Sequence, residues 1–227
     1  LRVKVIVFDL DDTLYDEIEY VKSGFLAVAQ NFCEADTVQN FYQTMIKELE
    51  KNGRGKVFDT ALQEYKLYSK KAVRKALGIY RTHLPKLTLP QESQEILEHF
   101  RTKEFPLYIV TDGNKIVQAN KLKALQLHRF IKKSFITHRY GKIHAKPSPY
   151  CFEKIAKLEG VAYSDVVYIG DNINKDFVGI KKLGFRTIRI KKGMFADLNK
   201  TQEYHAEVEI DSLYALKNIL KDSIANS

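Results

Sequence analysis

The chain opens on Val5-Ile6-Val7-Phe8, a short run of β-branched and aromatic residues that gives way at once to Asp9, Asp11 and Asp12. The run is far too short for a membrane span, and it is too uniformly apolar for a strand with one wet face. It predicts a strand buried on both sides, as in a parallel sheet. Parallel strands need long crossovers, usually helical, so the run points to an α/β fold with a parallel sheet covered by helices. Ligands of such sheets sit beyond the carboxyl ends of the strands, where these acids fall. If the backbone stays extended past Phe8, Asp9, Asp11 and Thr13 share one side and Asp12 points away. Carboxylates so close repel each other unless a cation or a proton offsets the charge, and a divalent metal is one answer. The same residue types also suit a plain Asx turn at a helix start.

A complete parallel crossover unit takes about 30 residues, yet the next convincing strand, Phe105 to Val110, begins much further along. Something is inserted between them, and its pattern is helical. Val21, Phe25, Val28 and Phe32 fall on one face, followed by Phe41, Met45 and Leu49, and then by Leu62, Tyr65, Val73, Ala76, Leu77 and Tyr80. These stripes predict an inserted α-helical cap domain over residues 17–88, with the core formed by 1–16 and 89–227. Leu84-Pro85 and Leu89-Pro90 mark the return to the core, because proline drives the residue before it into extended geometry. Inside the insert, Asn52-Gly53-Arg54-Gly55-Lys56 interrupts the helices. Its cations, Arg54 and Lys56, fit a loop that meets an anionic substrate, and they also fit a solvated helix connection. Tyr80 and Arg81 are further candidates for substrate contact.

The 227 residues, 44% hydrophobic and 29% charged, are ordinary for a globular protein with a sizeable core. No apolar run approaches the ~20 residues of a spanning helix, and no secretory leader is visible. Leu1 is not an initiator methionine, which leaves room for residues ahead of it. Cys33 and Cys151 are too few for a disulfide scaffold, and they read as buried thiols in a reducing cytoplasm. The net charge of +9 is spread through pairs such as Lys70-Lys71, Lys132-Lys133, Lys181-Lys182 and Lys191-Lys192. That distribution fits solvated helix faces better than a nucleic-acid surface.

Three later places repeat the pattern of a strand followed by polar residues. Leu107-Tyr108-Ile109-Val110 runs into Thr111-Asp112-Gly113-Asn114 and a helix marked by Val117, Leu122 and Leu125. Backbone N–H groups at such a turn, with the Thr111 hydroxyl, can form an anion site, and the same residues can simply cap the helix. Lys146-Pro147-Ser148-Pro149 precedes a helix, and the prolines can fix the direction of the lysine. Val166-Val167-Tyr168-Ile169-Gly170 ends in Asp171, with Asp176 at the entry to the next helix. Asp171 is placed to share an ion with Asp9, since magnesium takes one or two carboxylates plus waters and phosphate. Asp176 can hold a metal-bound water, position Lys146 or cap the helix. His138 and His144 have no metal-pair spacing.

Taken in order, with a helical insert after the first, these four strand ends resemble the haloacid dehalogenase superfamily of phosphohydrolases over essentially the whole chain. Asp9-Leu10-Asp11-Asp12-Thr13-Leu14 matches its first motif, Thr111 its second, Lys146 its third, and Gly170-Asp171 through Asp176 its fourth. The resemblance implies a Rossmann-like parallel sheet core with an inserted α-helical cap, and a magnesium-dependent phosphatase of small phosphorylated metabolites, sugar phosphates or nucleoside monophosphates among them. Asp9 would be the nucleophile, and Asp11 the acid that protonates the leaving oxygen and then the base that activates water. Thr111 and the amides of Asp112 and Gly113 would hold phosphate, with Lys146 balancing charge. Asp9, the Asp11 carbonyl, Asp171 and Asp176 would serve the metal. An acid at position 11 disfavours the halide-removing branch, whose leaving group needs no proton. A phosphomutase of the same superfamily stays open, as does a non-catalytic basic binding protein on the same fold.

Overall fold

The structure, a computed structural model, describes residues 1–220. The predicted core segment 221–227 lies outside the described residues. Two compact units make up the chain: Leu1–Glu17 together with the chain from Thr88 onward, and Ile18–Leu87.

In the first unit, β1 (Val5–Phe8), β2 (Leu107–Thr111), β3 (Lys133–Ile136), β4 (Val166–Gly170), β5 (Arg186–Ile190) and β6 (Val208–Ile210) form one sheet in the order β3-β2-β1-β4-β5-β6, with every pair parallel. All four β1 side chains are buried, as an apolar central strand requires. The second strand begins at Leu107, later than the sequence suggests, because Pro106 has no N–H for the ladder. Phe8 pairs with Ile109 on one side and Ile169 on the other. The next residue, Asp9, therefore stands level with Val110 and Gly170, one position short of Thr111 and Asp171. Strand order reverses at β1, and this register brings the polar ends of β1, β2 and β4 together at that switch point.

The second unit contains α1 (Glu17–Phe32, entering from the first unit), α2 (Val38–Asn52), α3 (Val57–Glu64) and α4 (Lys70–Thr82). Val21, Phe25, Val28, Phe41, Met45, Leu62 and Ala76 are buried in its core, and Phe32, Leu49, Tyr65, Val73, Leu77 and Tyr80 pack against them half-buried. Each fully buried side chain of this kind contributes about 1.5–3 kcal/mol of transfer free energy. Gly53, at φ 72°, ends α2 in a conformation that favours glycine. The Ser69 hydroxyl starts α4 by accepting from the Ala72 amide at 3.0 Å. The Asn52–Lys56 stretch is thus the connection between α2 and α3.

After α5 (Gln91–Thr102), two further helices of the first unit bear on the site, α6 (Lys115–Ala124) and α7 (Tyr150–Glu159). Cys151 is buried, but Cys33 is only half-buried, which corrects the expectation of two interior thiols. No helix among the described residues is long and apolar enough to cross a membrane.

Candidate active site

Asp9 follows the last residue of β1 and is tied to the neighbouring strand by its amide, which donates to the Ile169 carbonyl at 2.8 Å. Its carboxylate is buried and meets the Lys146 ammonium at 3.0 Å. The same ammonium lies 2.8 Å from Asp176 Oδ1 and donates to the Tyr168 hydroxyl at 2.8 Å. Burial alone would lower the pKa of Lys146, but Asp176 and Asp9 raise it well above the ordinary lysine value. The cation is therefore permanent and fixed on three sides. Asp176 Oδ2 accepts from the Asn172 amide at 2.9 Å, and a Cβ at Gly170 would collide with that carboxylate, so glycine is required there. The contact with Lys146 fits the positioning role that the sequence leaves open to Asp176.

Asp171 is buried, and its carboxylate accepts no hydrogen bond from the described residues. One oxygen each from Asp9, Asp171 and Asp176 lie within 4.8 Å of one another. At ~4 Å two like charges repel by about 4 kcal/mol even at an effective dielectric of about 20. Burial, added to by Asp9 and Asp176, accordingly raises the Asp171 carboxyl to about 9. Burial, against the pull of Lys146, raises Asp9 to about 7. Hard oxygen donors, with one carboxylate that has no hydrogen-bond partner among the described residues, suit a small divalent cation.

Asp11 is organised differently. Its carboxylate accepts from the Tyr15 hydroxyl at 2.7 Å, the Lys121 ammonium at 2.8 Å and the Gln118 amide at 2.9 Å. It stands outside the three-carboxylate cluster. The same Gln118 Nε2 donates to Thr111 Oγ1 at 2.6 Å, so the hydroxyl, having accepted there, has its own proton to give elsewhere. Asp9, Asp11, Thr111, Asp112 and Asp171 line one cavity of about 140 Å³.

Two expectations from the sequence need correction. Asp12 does not point away: it lines the same cavity, and its Oδ1 accepts from the Glu17 amide at 2.8 Å. The backbone leaves the extended region, with Asp12 at φ 52°, and alternation of sides ends with the strand. Thr13, expected beside Asp9, is buried with its hydroxyl unpartnered and does not line the cavity. Asp112 is a hub of the loop: Oδ1 accepts from the Thr137 hydroxyl at 2.7 Å and the Lys146 amide at 3.0 Å, and Oδ2 meets Lys175 at 2.9 Å. Burial would raise its carboxyl, but Lys146 and Lys175 hold it below the usual value. Gly113 is not on the cavity wall; it sits at φ 130° over the Gln118 side chain.

Sequence reasoning missed Tyr15, Gln118, Lys121, Tyr168 and Lys175. It also missed Met194 and Phe195, which line the cavity from a loop after β5. Buried Arg189 holds that loop, donating from Nη2 to the carbonyls of Phe195 and Leu198 at 2.6 and 2.9 Å. Gly193 in the same loop has φ 63°, and a Cβ there would meet Asp12 Cγ at 2.5 Å. In the helical unit, Arg54 and Arg81 line a cavity of about 240 Å³ with Phe25, Phe58 and Tyr80, whereas Lys56 does not reach it.

A family model for haloacid dehalogenase-like hydrolases matches residues 3–184. The chain belongs to this family. Haloacid dehalogenase-like relatives along almost the whole length include the glyceraldehyde 3-phosphate phosphatases of Pyrococcus furiosus, 30% identical over 97% of this chain and 94% of the relative, and of Methanocaldococcus jannaschii, 29% identical over 97% and 98%. The N-acylneuraminate-9-phosphatase of Homo sapiens is 26% identical over 90% of this chain and 89% of its own. Among solved structures, the HAD-hydrolase YfnB from Bacillus subtilis, bound to magnesium, superposes with a TM-score of 0.67 at 22% identity, over 97% of this chain and 99% of YfnB. The chain is a phosphohydrolase of the haloacid dehalogenase superfamily.

Proposed function

We propose that this phosphohydrolase is a magnesium-dependent phosphatase of small phosphorylated sugars that works through a phosphorylated Asp9. The observation that carries this reading is the Asp9 carboxylate, fixed by Lys146 at the strand end and facing the same cavity as Asp11, Thr111 and Asp171. Asp9 and Asp171, with the Asp11 carbonyl and Asp176 nearby, would hold magnesium, whose charge would offset that of the carboxylates and of the phosphate oxygens. Carboxylates are weak nucleophiles, so positioning and charge neutralisation supply most of the rate.

In the first half-reaction an Asp9 oxygen bonds to phosphorus as the bond to the leaving oxygen breaks, and protonated Asp11 gives its proton to that oxygen. In the second, Asp11, now a carboxylate, takes a proton from water, the water oxygen bonds to phosphorus, and Asp9 is released with phosphate. The Thr111 hydroxyl, its acceptor side occupied by Gln118, donates to a phosphate oxygen, and Lys146 balances the charge on Asp9 throughout. Sugar phosphates are favoured over nucleoside monophosphates by the substrates for which the relatives are named. Choice among them falls to the helical unit, with Arg54 and Arg81 as the candidate contacts.

A phosphate-release screen over sugar phosphates and nucleoside monophosphates, with and without magnesium, tests this reading against Asp9→Asn. Equal release by wild type and variant refutes the nucleophile assignment. Isomerised sugar phosphate without free phosphate refutes hydrolysis in favour of a mutase.

A further inference from the structure

Helix α6 buries the wrong kind of face. Its two buried residues are Gln118 and Lys121, one turn apart, while Val117 and Leu122 are only half-buried. Burying an ammonium is costly unless it is paired, and a fold keeps such a group where its geometry is used. The Lys121 ammonium is placed 2.8 Å from Asp11 Oδ1 and 3.1 Å from Glu17 Oε1. Gln118, on the same face, gives one amide nitrogen to both Asp11 Oδ2 and Thr111 Oγ1. Both Asp11 oxygens are thus occupied from the helix, and the Tyr15 hydroxyl adds a second donor to Oδ1 from the chain after β1, which fixes the rotation of the carboxylate.

We propose that Gln118 and Lys121 are positioning residues of the hydrolysis: the pair clamps Asp11 in the orientation that serves the leaving oxygen and then water, and Gln118 also aims the Thr111 hydroxyl. This rests on the acid–base role of Asp11 given above. Neither residue lines the cavity, and both act through Asp11 and Thr111, which do. The clamp explains why a helix beside a catalytic strand end is polar on its inward face.

Leaving-group dependence separates this role from a structural one. Loss of acid catalysis slows departure of a poor alkoxide leaving group but hardly affects a good phenolate, and the contribution is about 10²–10⁴-fold. Lys121→Met and Gln118→Met keep the side-chain length and remove the donors. On the best alkyl phosphate of the panel, each variant is expected to lose about 10²-fold in kcat/KM. On p-nitrophenyl phosphate, kcat/KM falls less than about tenfold. There kcat falls further than kcat/KM, with a burst of nitrophenolate, because Asp11 is still needed to activate water. Equal losses on both substrates, or no loss on either, overturn the inference. Gln118→Met keeps the Lys121 ammonium paired with Asp11 and Glu17, so it decides the matter if Lys121→Met does not fold. A wild type that hydrolyses neither substrate in magnesium sinks the phosphatase reading itself, and an active wild type with indiscriminate variants sinks only the clamp.

Discussion

Asp171→Asn separates the demand of the site for a cation from its contribution to the fold. The Asp171 carboxyl is raised from 3.8 to about 9 by burial and by Asp9 and Asp176. A carboxyl with a folded pKa above its unfolded value keeps a proton that the unfolded chain releases. The metal-free protein therefore loses stability as pH rises from about 4 towards about 9. Each pH unit of retained proton is worth about 1.4 kcal/mol, and because Asp9 is raised as well, to about 7, the loss between about pH 5 and about pH 8 belongs to the two carboxyls together and is on the order of a few kcal/mol. At about 2–4 °C per kcal/mol for a chain of this size, wild type in a chelator should melt on the order of ten degrees lower at the higher pH on account of the pair. Asparagine has no charge to desolvate, so the variant escapes that loss and should be the more stable of the two at about pH 8 without metal. Magnesium should raise the melting temperature of wild type, more at the higher pH because protons compete for the same oxygens, and should do little for the variant. Circular-dichroism melts in chelator and in magnesium at both pH values read all four quantities. A wild-type melting temperature that is flat in pH relative to the variant, or equal stabilisation of both by magnesium, refutes the account of Asp171 as an uncompensated carboxylate awaiting a cation.

Lys146→Met leaves Asp9 and Asp176 buried without their counter-charge, and it should cost about 3–5 kcal/mol in urea denaturation at neutral pH along with phosphate release. Gly193→Ala forces an ordinary residue into φ 63° against Asp12 and should cost about 1–3 kcal/mol. Its melting temperature should fall, and kcat/KM with it, because Asp12 is displaced. Arg54→Ala should lower kcat/KM on the preferred sugar phosphate by about tenfold or more, the worth of a charge-assisted hydrogen bond. Lys56→Ala should change it less than about twofold, since Lys56 lies off the cavity wall.

What the sequence revealed is what apolar periodicity and strand ends can carry. Val5–Phe8 and Val166–Gly170 are continuous apolar runs because both faces are covered, and continuity is visible without coordinates. The helical stripes beginning at Val21 and Phe41 are equally visible, because the surface they bury is a plain hydrophobic face. The acids at the strand ends stand out because nothing else at such a position needs so much charge. Alternation misled at Asp12, where the pairing to neighbouring strands that enforces an extended backbone has already stopped.

Polar residues that act through other polar residues leave no such trace. Lys121 is one lysine in a chain with 37 lysines and arginines, and nothing in its neighbourhood sets it apart from Lys123 on the same helix, which is exposed. The apolar residues of α6 point to a helix of the usual kind with Val117 and Leu122 inward, and a polar pair one turn apart reads as its wet face. Only the placement of α6 directly after Thr111, with its first turn capped by the Asn114 side chain onto the Ile116 amide at 2.9 Å, turns Gln118 and Lys121 towards Asp11. Asp112 is a similar case: its position beside Thr111 invites a role in phosphate binding, yet its carboxylate gathers Thr137, Lys146 and Lys175 from three later segments. Contacts between residues so far apart in sequence depend on strand order, and strand order depends on the chain as a whole. Groups that meet the substrate can be read from local chemistry, whereas the groups that hold them become legible only once the sheet is assembled.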